Sequence, residues 1–193
     1  MSPPEITLRI IPEFDCLARS RTSALFVCEI AASAAASSGT RRLVVAVDRS
    51  SSMTGGPLVV AKRTVRALVD ALRNDDEIAL VTFDGHAEVL IPPTRLDPLN
   101  RARLGGAIDA ISAGRGTALA DAIHTAVRVA ADAPESTVTR AVVVTDGEPS
   151  GGEHDPHRIG RGVASHAQRI AVSPIAIGEV ANRAFLRTEA QAG

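Results

Sequence analysis

Two hydrophobic periods divide this chain. Near its start Ile6, Leu8 and Ile10 alternate with Thr7 and Arg9, the period-two pattern of a strand with one buried face, and predict a strand over residues 5–11. Residues 22–32, with Leu25, Phe26, Val27 and Ile30, predict a second strand after a loop at 12–21. Residues 31–40 are almost entirely Ala, Ser and Gly, which is a linker composition. The segment 1–40 therefore reads as a β-hairpin and linker, or as part of a separate β layer, because a lone hairpin does not sustain itself.

From residue 41 onward, short apolar runs alternate with stretches of helical period. The run Leu43-Val44-Val45-Ala46-Val47 predicts a buried parallel strand. Leu58, Ala61, Val65, Leu68, Val69 and Leu72 predict a helix over 57–73, stopped by Asn74-Asp75-Asp76. A strand at 77–83 is followed by the turn signal Asp84-Gly85, so the next strand, 87–91, runs back antiparallel. Pro92-Pro93 ends it, which suits a sheet edge. Leu104, Ala107, Ile108 and Ile111 mark a helix over 100–111, and Leu119, Ile123, Ala126, Val127 and Ala130 mark one that begins at Thr117. Residues 140–145 and 171–177 predict two more strands. Between them, a loop at 149–153 leads through Asp155 as cap to a helix at 156–169 with Ile159, Val163 and Ile170 inward. A last helix is expected at 182–190. The fold class is α/β: a Rossmann-like doubly wound sheet, mostly parallel with one antiparallel edge strand, with helices on both faces and a β-strand pair at the N-terminus.

Chemistry gathers where the first core strand ends, in Asp48-Arg49-Ser50-Ser51-Ser52-Met53. The carboxyl ends of parallel strands are where α/β sheets bind ligands. Asp48, Ser50 and Ser52 stand at alternate positions with short oxygen side chains, a set suited to a hard cation such as Mg²⁺ or Mn²⁺ and poorly suited to Zn²⁺ or Cu²⁺. By itself such a cluster is equally a helix cap. Two further stretches add to it. Gly114-Arg115-Gly116-Thr117-Ala118-Leu119 places a Thr at the mouth of a helix, and Val142-Val143-Val144-Thr145-Asp146-Gly147 ends another strand in an acid. In a doubly wound sheet these three loops open on one edge.

D-x-S-x-S, G-x-G-T-x-L and T-D-G, in this order and spacing, resemble the von Willebrand factor A domain and its metal-ion-dependent adhesion site, over about three quarters of the chain from Leu43 onward. The resemblance implies that Asp48, Ser50, Ser52, Thr117 and Asp146 surround one divalent cation, Mg²⁺ or else Mn²⁺ or Ca²⁺. It implies that Asp48 and Asp146 act partly through water and that Thr117 switches between direct and indirect contact, a shift that Gly114 and Gly116 would permit. Two carboxylates only neutralise the ion, so an Asp or Glu of a partner protein can complete its shell. The implied function is metal-dependent protein–protein recognition without catalysis, and bacterial members often serve as adaptors, including for ATPase machines. Arg49, Met53, Arg115 and Glu148 are candidates for the partner-binding rim. Ser51 stands where the family often has glycine. Such domains usually continue into a sixth strand and closing helix, so 41–193 is expected to be a domain lacking both. The strand at 171–177 is then an open edge, unless the first forty residues cover it.

Composition narrows the alternatives. The 193 residues are 45% hydrophobic and 22% charged with net charge −1, which fits one soluble domain and gives no sign of a nucleic-acid or membrane-surface binder. Neither a transmembrane run nor a secretory leader is evident, so the cytoplasm is the expected location. Cys16 and Cys28 lack metal-ligand spacing and read as thiols of a reducing compartment. A phospho-receiver would need a lysine late in the sheet, but Lys62 lies in the first helix, and no P-loop exists. A Mg²⁺-dependent hydrolase would need a general base, for which His154 and His157 are the candidates, although Glu153-His154-Asp155-Pro156-His157 also reads as a solvated loop and helix cap. A structural module whose site stays empty is the third reading. His86, His124 and His166 read as structural or exposed, and Asp84 and Asp121 as a turn and a helix surface that could rim the site.

Overall fold

The computed structural model describes residues 6–12, 26–32, 40–146 and 169–177. The chain divides into two compact units, residues 1–38 and 39–193. In the first, β1 (Ile6–Pro12) pairs antiparallel with β2 (Phe26–Ala32), Ile6 opposite Ala32 and Pro12 opposite Phe26. Residues 22–25 of the expected second strand lie outside the described residues.

In the second unit five strands form a sheet in the order β5-β4-β3-β6-β7. β3 (Arg41–Asp48) is central and pairs parallel with β4 (Glu77–Phe83) and β6 (Val138–Thr145), and β6 pairs parallel with β7 (Ile170–Ala176). β5 (Ala87–Arg95) runs antiparallel along β4 at one edge. The architecture is the one expected: a mostly parallel sheet with a single antiparallel strand.

β3 is apolar without interruption because both of its faces are covered. Val44 and Ala46 join α3 (Leu119–Ala131), which contributes Ile123, Ala126 and Val127. Val45 and Val47 face the other way, onto Leu58, Ala61 and Val65 of α1 (Gly56–Asp70) and Leu104 and Ile108 of α2 (Pro98–Ala110). Each large side chain buried there contributes about 1.5–3 kcal/mol.

Several boundaries move for identifiable reasons. β3 begins at Arg41, before the apolar run, because Arg41 and Arg42 are paired across the strand end with Asp76 and Glu77. β5 does not stop at Pro92-Pro93 but runs on to Arg95. Ile78 opposes Thr94 and Leu80 opposes Ile91, so Ala79 faces both prolines across a bulge, a position where a strand tolerates residues lacking N–H groups. α2 starts at Pro98, two residues early, since Asp97 caps it by accepting the Asn100 N–H at 2.7 Å. α3 starts at Leu119, so Thr117 precedes the helix. Ile170, expected on a helix face, is the first residue of β7 and is buried. The expected helices at 156–169 and 182–190 lie outside the described residues, apart from Arg169 in a turn.

α1 ends at Asp70, short of the expected 73, and its last carbonyls are met from α2. Arg101 donates from Nη1 to Val69 O at 2.9 Å and from Nη2 to Leu72 O at 2.6 Å. A cation on the carbonyl end of a helix also complements its dipole. Replacing Arg101 by Ala is expected to lower stability by about 1–2 kcal/mol, seen as an earlier urea midpoint with unchanged slope.

Candidate metal centre

Parallel pairing of β3, β4 and β6 brings their carboxyl ends, with Asp48, Phe83 and Thr145, to one edge of the sheet. Asp48 ends β3 fully buried. Its Oδ1 accepts the Ser50 N–H at 2.8 Å, and its Oδ2 accepts the Thr145 hydroxyl at 2.5 Å. The first of these contacts is an Asx turn. It reverses the chain so that Ser50 Oγ and Ser52 Oγ come within 3.0 Å of one another. Ser50 is buried and Ser52 exposed, so the pair leads from the carboxylate to solvent. Residues Ser51–Met53 form one turn of 3-10 helix.

The loop that carries Thr117 is bonded directly to the Asp48–Met53 loop and to the β4–β5 turn. Gly114 donates its N–H to Arg49 O and Ala118 donates to Asp84 O, both at 2.6 Å. Thr117 sits between these anchors and is buried. Asp146 follows Thr145 and is half-buried.

Electrostatics tests whether the set suits a cation. Burial pushes the Asp48 carboxyl above its ordinary range; hydrogen bonds from Ser50 and Thr145 offset part of this, and the negative charge of Asp146 adds to it. Among the described residues, the hydrogen bonds to Asp48 come from the neutral groups of Ser50 and Thr145, and the charge that acts on it is that of another acid, Asp146. Keeping a buried carboxylate charged is costly, and a divalent ion would offset that cost. The donors are two carboxylates and three hydroxyls, all hard oxygens. Among the described residues, no group of three or more His, Cys, Asp or Glu is placed to hold a metal, so hydroxyls have to complete any shell here.

The rim candidates separate. Met53 is fully buried among the apolar residues under α1, where it packs and presents nothing to a partner. Arg49 turns back onto Asp84, Nη2 to Oδ2 at 2.8 Å, with its side chain 24% exposed. Arg115 is exposed. Glu148, His154, His157 and His166 lie outside the described residues. Asp84 is a buried turn residue rather than a surface one, while Asp121, on the surface of α3, accepts the Ala87 N–H at 2.7 Å. His86 and His124 are exposed, and Lys62 bonds Asp109 O across α1 and α2, away from these loops. Sequence reasoning missed Thr145 as a support of Asp48. The signal was present, since Thr145 stands directly before Asp146 in the T-D-G stretch.

No helix among the described residues is long and apolar enough to cross a membrane. Residues 43–148 match the family model described as von Willebrand factor type A domain. An uncharacterised protein of Synechocystis is 32% identical over 113 residues, 58% of this chain and 26% of that protein. The chain thus spans about a quarter of that relative's length. Among solved structures, a von Willebrand factor type A protein from Catenulispora acidiphila superposes with TM-score 0.73 at 22% identity, covering 98% of this chain and 43% of that one. The manganese-loaded TRAP protein of Plasmodium vivax superposes with TM-score 0.65 at 19% identity, covering 79% and 63%.

Proposed function

The chain belongs to the von Willebrand factor type A domain family, and on that premise we propose that it is a recognition module whose metal centre holds one divalent cation and binds an acidic side chain of a partner protein. One observation carries this reading: Asp48 is a buried carboxylate whose donors among the described residues, Ser50 and Thr145, are neutral, with a second carboxylate acting on it. The manganese in the Plasmodium vivax structure of the same fold supports it. Mg²⁺ is the proposed ion, because the donors are hard oxygens and few enough to leave room for an outside ligand.

Asp48, Ser50, Ser52, Thr117 and Asp146 would hold the ion, which supplies a Lewis-acid position for one carboxylate oxygen of the partner. The rest falls to the chain. Asp48 and Asp146 supply the negative charge, while the Asx turn at Ser50 and the Thr145 hydroxyl keep Asp48 in one orientation. Exposed Ser52 opens the centre to solvent, and exposed Arg115 offers a cation to the same acidic partner. Recognition without catalysis, as adaptor work in a larger assembly, is the proposed role.

The test is calorimetric titration of EDTA-stripped protein with Mg²⁺ and with Mn²⁺, repeated with N-acetyl-aspartate amide present. Saturable binding of one ion is expected, tightened by the aspartate compound and not by its asparagine counterpart. Absence of ion binding, or indifference to the carboxylate, would overturn the proposal. Turnover of a phosphate or carboxylate ester by the metal-loaded protein would favour the hydrolase instead.

A further inference from the structure

Beside the proposed centre, one ion pair closes the Asp48–Met53 loop, the β4–β5 turn and the Thr117 loop into a ring. Arg49 directly follows Asp48, and its N–H bonds Phe83 O at 2.9 Å, which brings it alongside the β4–β5 turn. There its guanidinium meets Asp84 at 2.8 Å. The same two residues hold both ends of the Thr117 loop through their carbonyls, Arg49 O taking the Gly114 N–H and Asp84 O the Ala118 N–H. The path from Arg49 through Gly114, Thr117, Ala118 and Asp84 therefore returns to Arg49 across the ion pair.

The ring is tight as well as closed. A side chain at Gly114 would run into the Asp84 carboxylate, its Cβ meeting Asp84 Cγ at 2.9 Å. Gly116, at φ +77°, presses on the turn from the other side, where a Cβ would lie 3.2 Å from Gly85 Cα. The chain thus passes so close to Asp84 that its carboxylate has almost no freedom to move. Arg49 is held there at a cost. Its Nε is buried and, among the described residues, has no hydrogen-bond partner. A buried donor left unmade is unfavourable, so the Asp84 pair accounts for the inward rotamer.

We propose that Arg49 and Asp84 are positioning residues for the metal centre, their ion pair latching the 114–118 loop so that Thr117 is held in place beside Asp48, Ser50 and Ser52. This rests on the metal reading above. A cation site would not ordinarily gain from an arginine one residue from its buried carboxylate, since the like charge disfavours the ion. The latch explains why the arginine is there: Asp84 cancels its charge and uses it to join two loops.

Charge and positioning predict different signs, which makes the proposal testable. If Arg49 and Asp84 acted only through their fields, Arg49→Gln would tighten Mn²⁺ binding and Asp84→Asn would weaken it. The latch predicts that both weaken it, each by about tenfold, the scale on which supporting partners tune metal affinity. The double variant should lose no more than the worse single one, because both break the same link. Arg49→Lys should stay close to the unaltered chain, and Gly114→Ala, with no change of charge, should also weaken Mn²⁺. Cooperative melting of each variant establishes that it folds. Hydrogen exchange in metal-free protein gives a second readout: the Gly114 and Ala118 amides should exchange faster in Arg49→Gln and Asp84→Asn, with those of β3 and β4 unchanged. Tighter or unaltered Mn²⁺ binding by Arg49→Gln, additive losses, or unchanged exchange at those two amides would overturn the latch. An unaltered chain that binds no ion would instead overturn the metal reading, leaving the exchange experiment to decide whether the loop is latched.

Discussion

Asp48→Asn is expected to abolish divalent-ion binding while leaving the metal-free chain at least as stable as before. The two effects have one cause. Asp48 is buried at the end of the central strand, and burial pushes its carboxyl up, against the pull of the Ser50 and Thr145 hydrogen bonds and with the push of Asp146. An amide of the same shape keeps an oxygen for the Ser50 N–H, presents its NH2 to the Thr145 hydroxyl, which can turn to accept, and removes the buried charge. Calorimetry should show the Mn²⁺ affinity reduced by roughly 100-fold or more, beyond what outer partners alone cost. Scanning calorimetry of the stripped protein should show an equal or higher melting temperature, the trade of stability for function expected at a binding site.

The pH dependence has a definite sign. A carboxyl raised in the folded state binds its proton more readily there than in the unfolded chain, so the Asp48 contribution to metal-free stability grows as pH falls through its folded pKa toward the ordinary carboxylate value near ~3.9. Asp48→Asn removes that component. Saturating Mg²⁺ should reverse it in the unaltered chain, since an ion that binds only the folded state with Asp48 charged stabilises more as pH rises.

The largest stability loss is expected at Asp76, which serves the opposite end of the sheet. Burial alone would raise this carboxyl, but hydrogen bonds from Arg41 and from the Arg73 N–H, with the Arg41 charge, hold it below the usual carboxylate range. It receives the Arg41 Nε at 3.1 Å and the Arg73 N–H at 2.8 Å, while its own carbonyl takes the Leu96 N–H at 2.9 Å. One side chain therefore ties the start of β3 to the end of α1 at the mouth of β4. Arg41 is 40% exposed and can return to water, so Asp76→Ala should cost about 3 kcal/mol, less than removing a partner from a fully buried pair. That corresponds to a fall in melting temperature of roughly 6–12 °C. Here the sign is the reverse of that at Asp48. A depressed carboxyl contributes stability above its unfolded pKa and loses it as pH falls through its folded pKa. Asp76→Ala should therefore flatten the acid limb of the stability curve, whereas Asp48→Asn should steepen it.

The sheet was legible, and a candidate ligand set could be named, because each depends on local signals. Continuous β-branched runs between amphipathic helices fix a parallel sheet, and Asp-Gly fixes the one reversal. The spacing of Asp48, Ser50 and Ser52 is a property of five consecutive residues, and the ends of parallel strands must share an edge. Element limits were less legible where a distant partner sets them. Nothing near Arg41 says that Asp76, 35 positions away, will hold it in a strand, and Pro92-Pro93 reads as a terminator until a bulge in the pairing with β4 is seen.

By itself, then, the sequence determined the fold class and singled out five candidate oxygens, because periodicity and spacing act over a few residues and parallel topology brings the strand ends to one edge. Tertiary structure decided which neighbours stay exposed and which turn inward to brace Asp48 and its loop. Met53 went into the core and Arg49 turned inward to Asp84, while Thr145 became the donor that orients Asp48. Those outcomes rest on contacts between loops 35 to 97 positions apart, set by packing and charge compensation at the sheet's edge.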